Sequence, residues 1–168
     1  MEKLKERLAL AERAVSKLEE LASMDEWTEV ERDAMIQRFE FSYEILWKCA
    51  KDYLRVFEGI DAASPRRVIR ECQRIGILSA EQTEMALRMS GDRNLTTHTY
   101  DEEFAVELSA RMKDYGKLLR NWLEKIRFDR KKLKKIPVKS YAIMFSNDRH
   151  SPNRDFVFPI LFDDSGNW

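Results

Sequence analysis

Residues 28–57 read TEVERDAMIQRFEFSYEILWKCAKDYLRVF, thirty positions without a glycine or a proline. The opening Thr28-Glu29-Val30-Glu31 has the form of a capping box, in which a threonine hydroxyl and a glutamate three residues on satisfy each other's free backbone N–H groups. Trp27, just before it, is placed to act as a hydrophobic staple. The apolar residues that follow fall in two adjoining stripes: Ala34, Phe41, Ile45, Cys49, Tyr53 and Val56, and beside them Phe39, Leu46, Ala50, Leu54 and Phe57. So wide an apolar face predicts one long helix buried on more than one side, which requires further helices around it.

The flanking sequence supplies them. Leu4, Leu8, Ala11, Val15, Leu18 and Ala22 recur at steps of three and four, predicting a helix over about 2–22. Ser64-Pro65 offers a cap followed by proline at the first helical position, opening a short helix through Val68, Ile69 and Cys72 to Gly76. Ser79-Ala80-Glu81-Gln82 is a second capping box, leading through Met85, Ala86 and Met89 to an expected stop at Gly91. Thr99-Tyr100-Asp101-Glu102 is a third, after which Phe104, Leu108, Met112, Tyr115 and Leu119 share a face up to about Ile126. The expected fold is all-α, a five-helix antiparallel up-and-down bundle.

Composition agrees. With 5 Gly, 4 Pro and 36% charged residues in 168, the chain has the make-up of long solvated helices rather than of a turn-rich β protein. That length suits one hydrophobic core, so the reading divides the chain into a helical domain, 1–127, and a tail, 128–168. The tail begins with the basic run Arg130-Lys131-Lys132-Leu133-Lys134-Lys135, read either as a solubilising extension of the fifth helix or as a contact for RNA or a protein partner. Two β-like stretches follow, 141–145 and 156–162, the second interrupted by Pro159, so disorder or packing on a partner is expected over a free-standing hairpin.

Charge excludes a global polyanion trap, because 30 Lys plus Arg balance 30 Asp plus Glu. No apolar run approaches the roughly 20 residues that span a bilayer. Cys49 and Cys72 lie in helical segments, with no CxxC, no Cys/His cluster and no signal peptide, so a reducing cytoplasmic setting is expected and neither a metal nor a cofactor is called for.

Chemistry concentrates between the fourth and fifth helices. Asp92-Arg93-Asn94-Leu95-Thr96-Thr97-His98-Thr99-Tyr100 is polar and rich in poor helix formers, which predicts an irregular segment ill suited to the core. His98 falls just before a helix N-terminus, where exposed N–H groups favour an anion and keep an imidazole neutral. Arg93 adds a planar, permanently charged fork for phosphate, and Asn94 orienting hydrogen bonds. Cleavage of RNA needs little more than a proton-transfer group and charge stabilisation, because the 2′-hydroxyl is an internal nucleophile. One histidine supplies one proton-transfer group, so two copies meeting about a two-fold axis would complete the chemistry. The plainer reading pairs Arg93 with Asp92 or Asp101 and makes His98 a helix cap.

Arg93-x4-His98-Thr99-Tyr100 resembles the Arg-x4-His-x-Tyr signature of HepT-like proteins in the HEPN superfamily, and 38–48 resembles their second-helix motif. The blocks 64–71 and 92–102 are similar to those of the family known as nucleotidyltransferase substrate-binding proteins. The resemblance, over about 2–126, implies a dimerising helical bundle partnered by a separate minimal nucleotidyltransferase of the MntA type. It further implies a metal-independent endoribonuclease toxin, with Arg93 and His98 catalytic, Asn94 supporting and Tyr100 the residue to which the partner transfers AMP in silencing. A non-catalytic subunit that presents substrate to a nucleotidyltransferase is the alternative, and a pure interaction module a third. Arg66, Arg67 and Arg70 form either a solvated face or an RNA or partner contact, and Glu40, Glu44 and Lys48 are read as an ordinary i, i+4 series, structural or partner-facing.

Overall fold

The computed structural model describes residues 2–96 and 102–135, with side chains for 3–96 and 102–128. Five helices account for them: α1 (Glu2–Ala22), α2 (Glu29–Phe57), α3 (Pro65–Arg74), α4 (Ala80–Thr96) and α5 (Glu102–Lys135). There is no strand among the described residues.

The starts are those that local chemistry dictates. Thr28 N–H donates to Glu31 Oε2 at 2.8 Å and Glu31 N–H returns to Thr28 Oγ1 at 3.3 Å, closing the first capping box. The box at Ser79 closes the same way, with Ser79 N–H to Gln82 Oε1 at 3.0 Å and Gln82 N–H to Ser79 Oγ at 3.1 Å. Ser64 caps α3 ahead of Pro65, and Gly76, at φ 80°, makes the left-handed turn that follows its C-terminus. Trp27 is half-buried against the core and donates its indole N–H to the Leu21 carbonyl at 2.8 Å. The box expected at Thr99 lies outside the described residues.

Pairings across helices fix their relative directions. Arg7 meets Asp52, early α1 against late α2; Glu44 meets Arg93 and Glu40 meets Thr96, so that a step back along α2 is a step forward along α4. On α5, Arg111 meets Asp92 while Lys125 meets Gln82, and Arg120 meets Glu19 while Arg127 meets Glu12. Each of these neighbours therefore runs antiparallel, as the sequence predicted. Between the helices lies one apolar cluster in which Trp122, Tyr43, Tyr53 and Phe39 are the largest fully buried side chains. Phe39 stacks on Tyr115 at 5.6 Å between ring centroids, tying α2 to α5.

Two boundaries and one face differ from expectation. Helix α4 does not stop at Gly91 but continues to Thr96, so Arg93 and Asn94 are helical rather than in a loop. A lone glycine costs a helix only about 1 kcal/mol, and the contacts that the last turn makes with α2 and α5 outweigh it. Helix α5 continues past Ile126 to Lys135, taking the basic run into a helix. On α2 the first stripe is not wholly covered: Phe41 and Val56 are exposed while Cys49 and Tyr53 are buried. The compact bundle unit runs to Lys131, and the expected β-like stretches of the tail lie outside the described residues.

Candidate active site

The last turns of α4 carry the site. Adjacent helical residues point about 100° apart, and here that rotation sends Asp92 toward α5 and Arg93 toward α2. Arg93 Nη2 lies 3.3 Å from Glu44 Oε1. The other oxygen of Glu44 takes Lys48 Nζ at 3.1 Å and the Trp47 indole N–H at 3.1 Å, so one carboxylate gathers donors from two helices. Thr96 shares its single hydroxyl proton between the Glu40 carboxylate and the Arg93 carbonyl, the latter at 2.7 Å. Arg93 keeps 27% of its side chain exposed, yet its Nε is buried and meets no acceptor among the described residues.

On the other side of the same turn, Asp92 is 7% exposed. A carboxylate so placed has to be paired. Its Oδ2 accepts the Tyr115 hydroxyl at 2.6 Å and Arg111 Nη1 at 3.0 Å, and Arg111 Nη2 reaches on to Glu107 at 3.3 Å. Burial, together with the bond to Asp92, pushes the Tyr115 phenol well above its usual range, so it stays a donor. Beneath Arg93 the buried Tyr43 phenol is also raised, by burial first and by Glu44, while Ser90 and the charges of Arg93 and Arg66 oppose the rise.

The polar segment read from sequence is thus divided. Arg93 is brought onto the α2–α4 contact, Asn94 stands exposed one residue on, and Asp92 belongs to the core. Asp92 was expected in a segment ill suited to packing, but two donors from α5 make its burial tolerable. Nor does Arg93 pair with Asp92, whose carboxylate meets α5; among the described residues its partner is Glu44, and Asp101, the other expected partner, lies outside them. His98 and Tyr100 lie outside the described residues. Arg66, Arg67 and Arg70 are exposed on α3, and Glu71 pairs with Arg74 at 2.7 Å. Glu44 to Lys48 forms as expected along α2, but that spacing carried no sign that Glu44 also faces Arg93 or that Glu40 faces Thr96. Tyr115 read simply as a core position of α5.

Over residues 6–127 the sequence matches the family described as nucleotidyltransferase substrate binding protein like. The chain belongs to that family. A curated relative, the probable ribonuclease HepT of Haemophilus influenzae, is 34% identical over 84 residues, which span 48% of this chain and 56% of the relative. A protein of known crystal structure from Thermus thermophilus is 44% identical, with a TM-score of 0.68 over 70% of this chain and 98% of its own. A Shewanella oneidensis HEPN toxin, solved tri-AMPylated and in complex with an MNT antitoxin, superimposes with a TM-score of 0.59 at 14% identity, covering 74% of this chain and 96% of that one. That last likeness is one of fold, and the HepT-like HEPN bundle read from the motifs is the fold found. Among the described residues no helix is long and apolar enough to cross a membrane.

Proposed function

We propose that this chain is the toxin of a toxin–antitoxin pair, a cytoplasmic HEPN-type endoribonuclease silenced by AMP transfer to Tyr100 from a minimal nucleotidyltransferase of the MntA type. The observation that carries the reading is Arg93: a half-buried guanidinium on the last turns of α4, five residues ahead of His98, which among the described residues holds one ion pair and leaves Nε without an acceptor. The HepT relative and the AMPylated HEPN toxin of the same fold support it.

In the chemistry this implies, His98 takes the proton of an RNA 2′-hydroxyl as its oxygen attacks the adjacent phosphorus. Arg93 stabilises the charge gathering on the phosphorane oxygens, and Asn94 orients the phosphate. The 5′-oxygen departs with a proton from a second acid, leaving a 2′,3′-cyclic phosphate. One chain holds one such histidine in this segment, so the active species is a homodimer in which the second copy supplies that acid. Arg66, Arg67 and Arg70 extend the positive surface for RNA along α3.

AMP on Tyr100 would set a phosphate beside Arg93 and compete with RNA for the same cation. Incubation with the nucleotidyltransferase, ATP and Mg²⁺ is expected to add AMP by intact mass, to map it to Tyr100, and to abolish cleavage. An adduct that persists in Tyr100→Phe removes that residue from the role. The second reading, a non-catalytic subunit that presents substrate to a nucleotidyltransferase, is favoured by one observation, that Glu44 already compensates Arg93. Wild-type RNA cleavage indistinguishable from that of His98→Ala would decide for it.

A further inference from the structure

We infer that Asp92, Tyr115 and Arg111 form a latch that positions Arg93, so that Tyr115 and Arg111, on α5, set the aim of a guanidinium on α4. The inference rests on Arg93 being the phosphate-handling group.

The local problem is rotational. Arg93 follows Gly91 by two residues, near the C-terminus of α4. Glycine lacks the side chain that stiffens a helix, and the last turn has no later turn whose N–H groups could donate to its carbonyls and hold it. Left to itself, such a turn frays, and a long side chain on it samples many directions. Two carboxylates at different angles remove that freedom. Glu44 on α2 takes the Arg93 side chain, and Asp92, about 100° around the helix, is held by α5 at 2.6 Å and 3.0 Å. A single contact would leave the turn free to roll about it; two in different directions do not.

The chemistry of the latch fits a fixed part rather than a titrating one. Tyr115 stacks on Phe39 of α2 and is buried, so its hydroxyl is delivered from a rigid base. Arg111 supplies the compensating charge and is itself steadied by Glu107 at 3.3 Å. None of the three needs to touch RNA. They are positioning residues, acting through the turn that carries Arg93.

The test uses two readouts on the full chain. Phenylglyoxal labelling of the free protein, mapped by mass spectrometry, reports how firmly Arg93 is held, and the exposed Arg67 serves as an internal reference. In Tyr115→Phe, and in Arg111→Gln should the first variant fold poorly, Arg93 is expected to label several-fold faster than in wild type with Arg67 unchanged. RNA cleavage by the same variants should show kcat down by up to about 100-fold, the scale of an ångström of misplacement, with KM little changed. Unchanged labelling of Arg93 in a folded variant overturns the latch, and so does faster labelling with an unaltered kcat. If wild type cleaves no RNA, the nuclease reading fails while the labelling still decides the latch.

Discussion

Two arginines of this bundle are held in opposite ways. Arg120, on α5, spends its whole guanidinium inside the fold. Its Nε reaches the two oxygens of Glu19 at 3.1 Å and 3.2 Å, Nη2 reaches Ser16 Oγ at 2.9 Å and Glu19 Oε2 at 2.5 Å, and Nη1 meets Glu12. Glu12 in turn takes Arg127, so four charged side chains staple α1 to α5. Among the described residues Arg93 makes one ion pair, at 3.3 Å, and its buried Nε meets no acceptor. Both are largely shielded from water, at 21% and 27% side-chain exposure, so burial does not separate them. What separates them is saturation: a structural arginine has its donors used, and one meant for an incoming anion has donors to spare.

That contrast can be broken most sharply by deleting each in turn. Arg93→Ala is expected to lower RNA cleavage by about 10²–10³-fold, the scale for losing one charge-stabilising donor, while its melting temperature stays close to wild type. Arg120→Met should do the reverse, keeping its activity and losing about 1.5–3 kcal/mol in urea unfolding, the range for hydrogen bonds to charged groups. A variant pair that loses stability and activity together would erase the distinction.

A smaller effect sharpens it. Glu44→Gln removes the counter-charge and leaves the shape, so Arg93 should become freer for phosphate, tightening RNA binding severalfold with a steeper salt dependence. RNA affinity and salt slope both unchanged by fluorescence anisotropy would mean that Arg93 does not meet the phosphate.

The smallest effect concerns groups with no donor role. Burial pushes both Cys49 and Cys72 thiols up to about 12. At pH 8 neither should react with iodoacetamide until the bundle unfolds. Because their folded values are raised, the linked stability is complete below the ordinary thiol range and is lost as pH climbs through it toward 12. Prompt alkylation of the native protein, read by mass, would show a looser core than the structure has.

Helix starts were legible because capping is local: Thr28 with Glu31 and Ser79 with Gln82 need only residues within one turn. The helical cores were legible from periodicity, since Leu4 through Ala22 and Leu108 through Ile126 bury the faces that their spacing marked. The motif block 92–102 proposed a site, and of its residues Arg93 is found on the α2–α4 contact. The end of α4 was not legible, because a glycine's stopping power is decided by what the following turn touches.

The sequence by itself determined an all-α chain, the order of its described helices, the starts of α2, α3 and α4, their antiparallel pairing and the candidacy of Arg93, all of which follow from interactions within a few residues or from resemblance of contiguous motifs. Only the tertiary structure decided that Arg93 is helical, that its counterion is Glu44 rather than Asp92, and that Asp92 is a buried acceptor for Tyr115 and Arg111. Those facts depend on which turn of one helix lies beside which turn of another. The periodicity of each helix names the face it buries, but not its register along a neighbour, and a carboxylate's partner is set by that register.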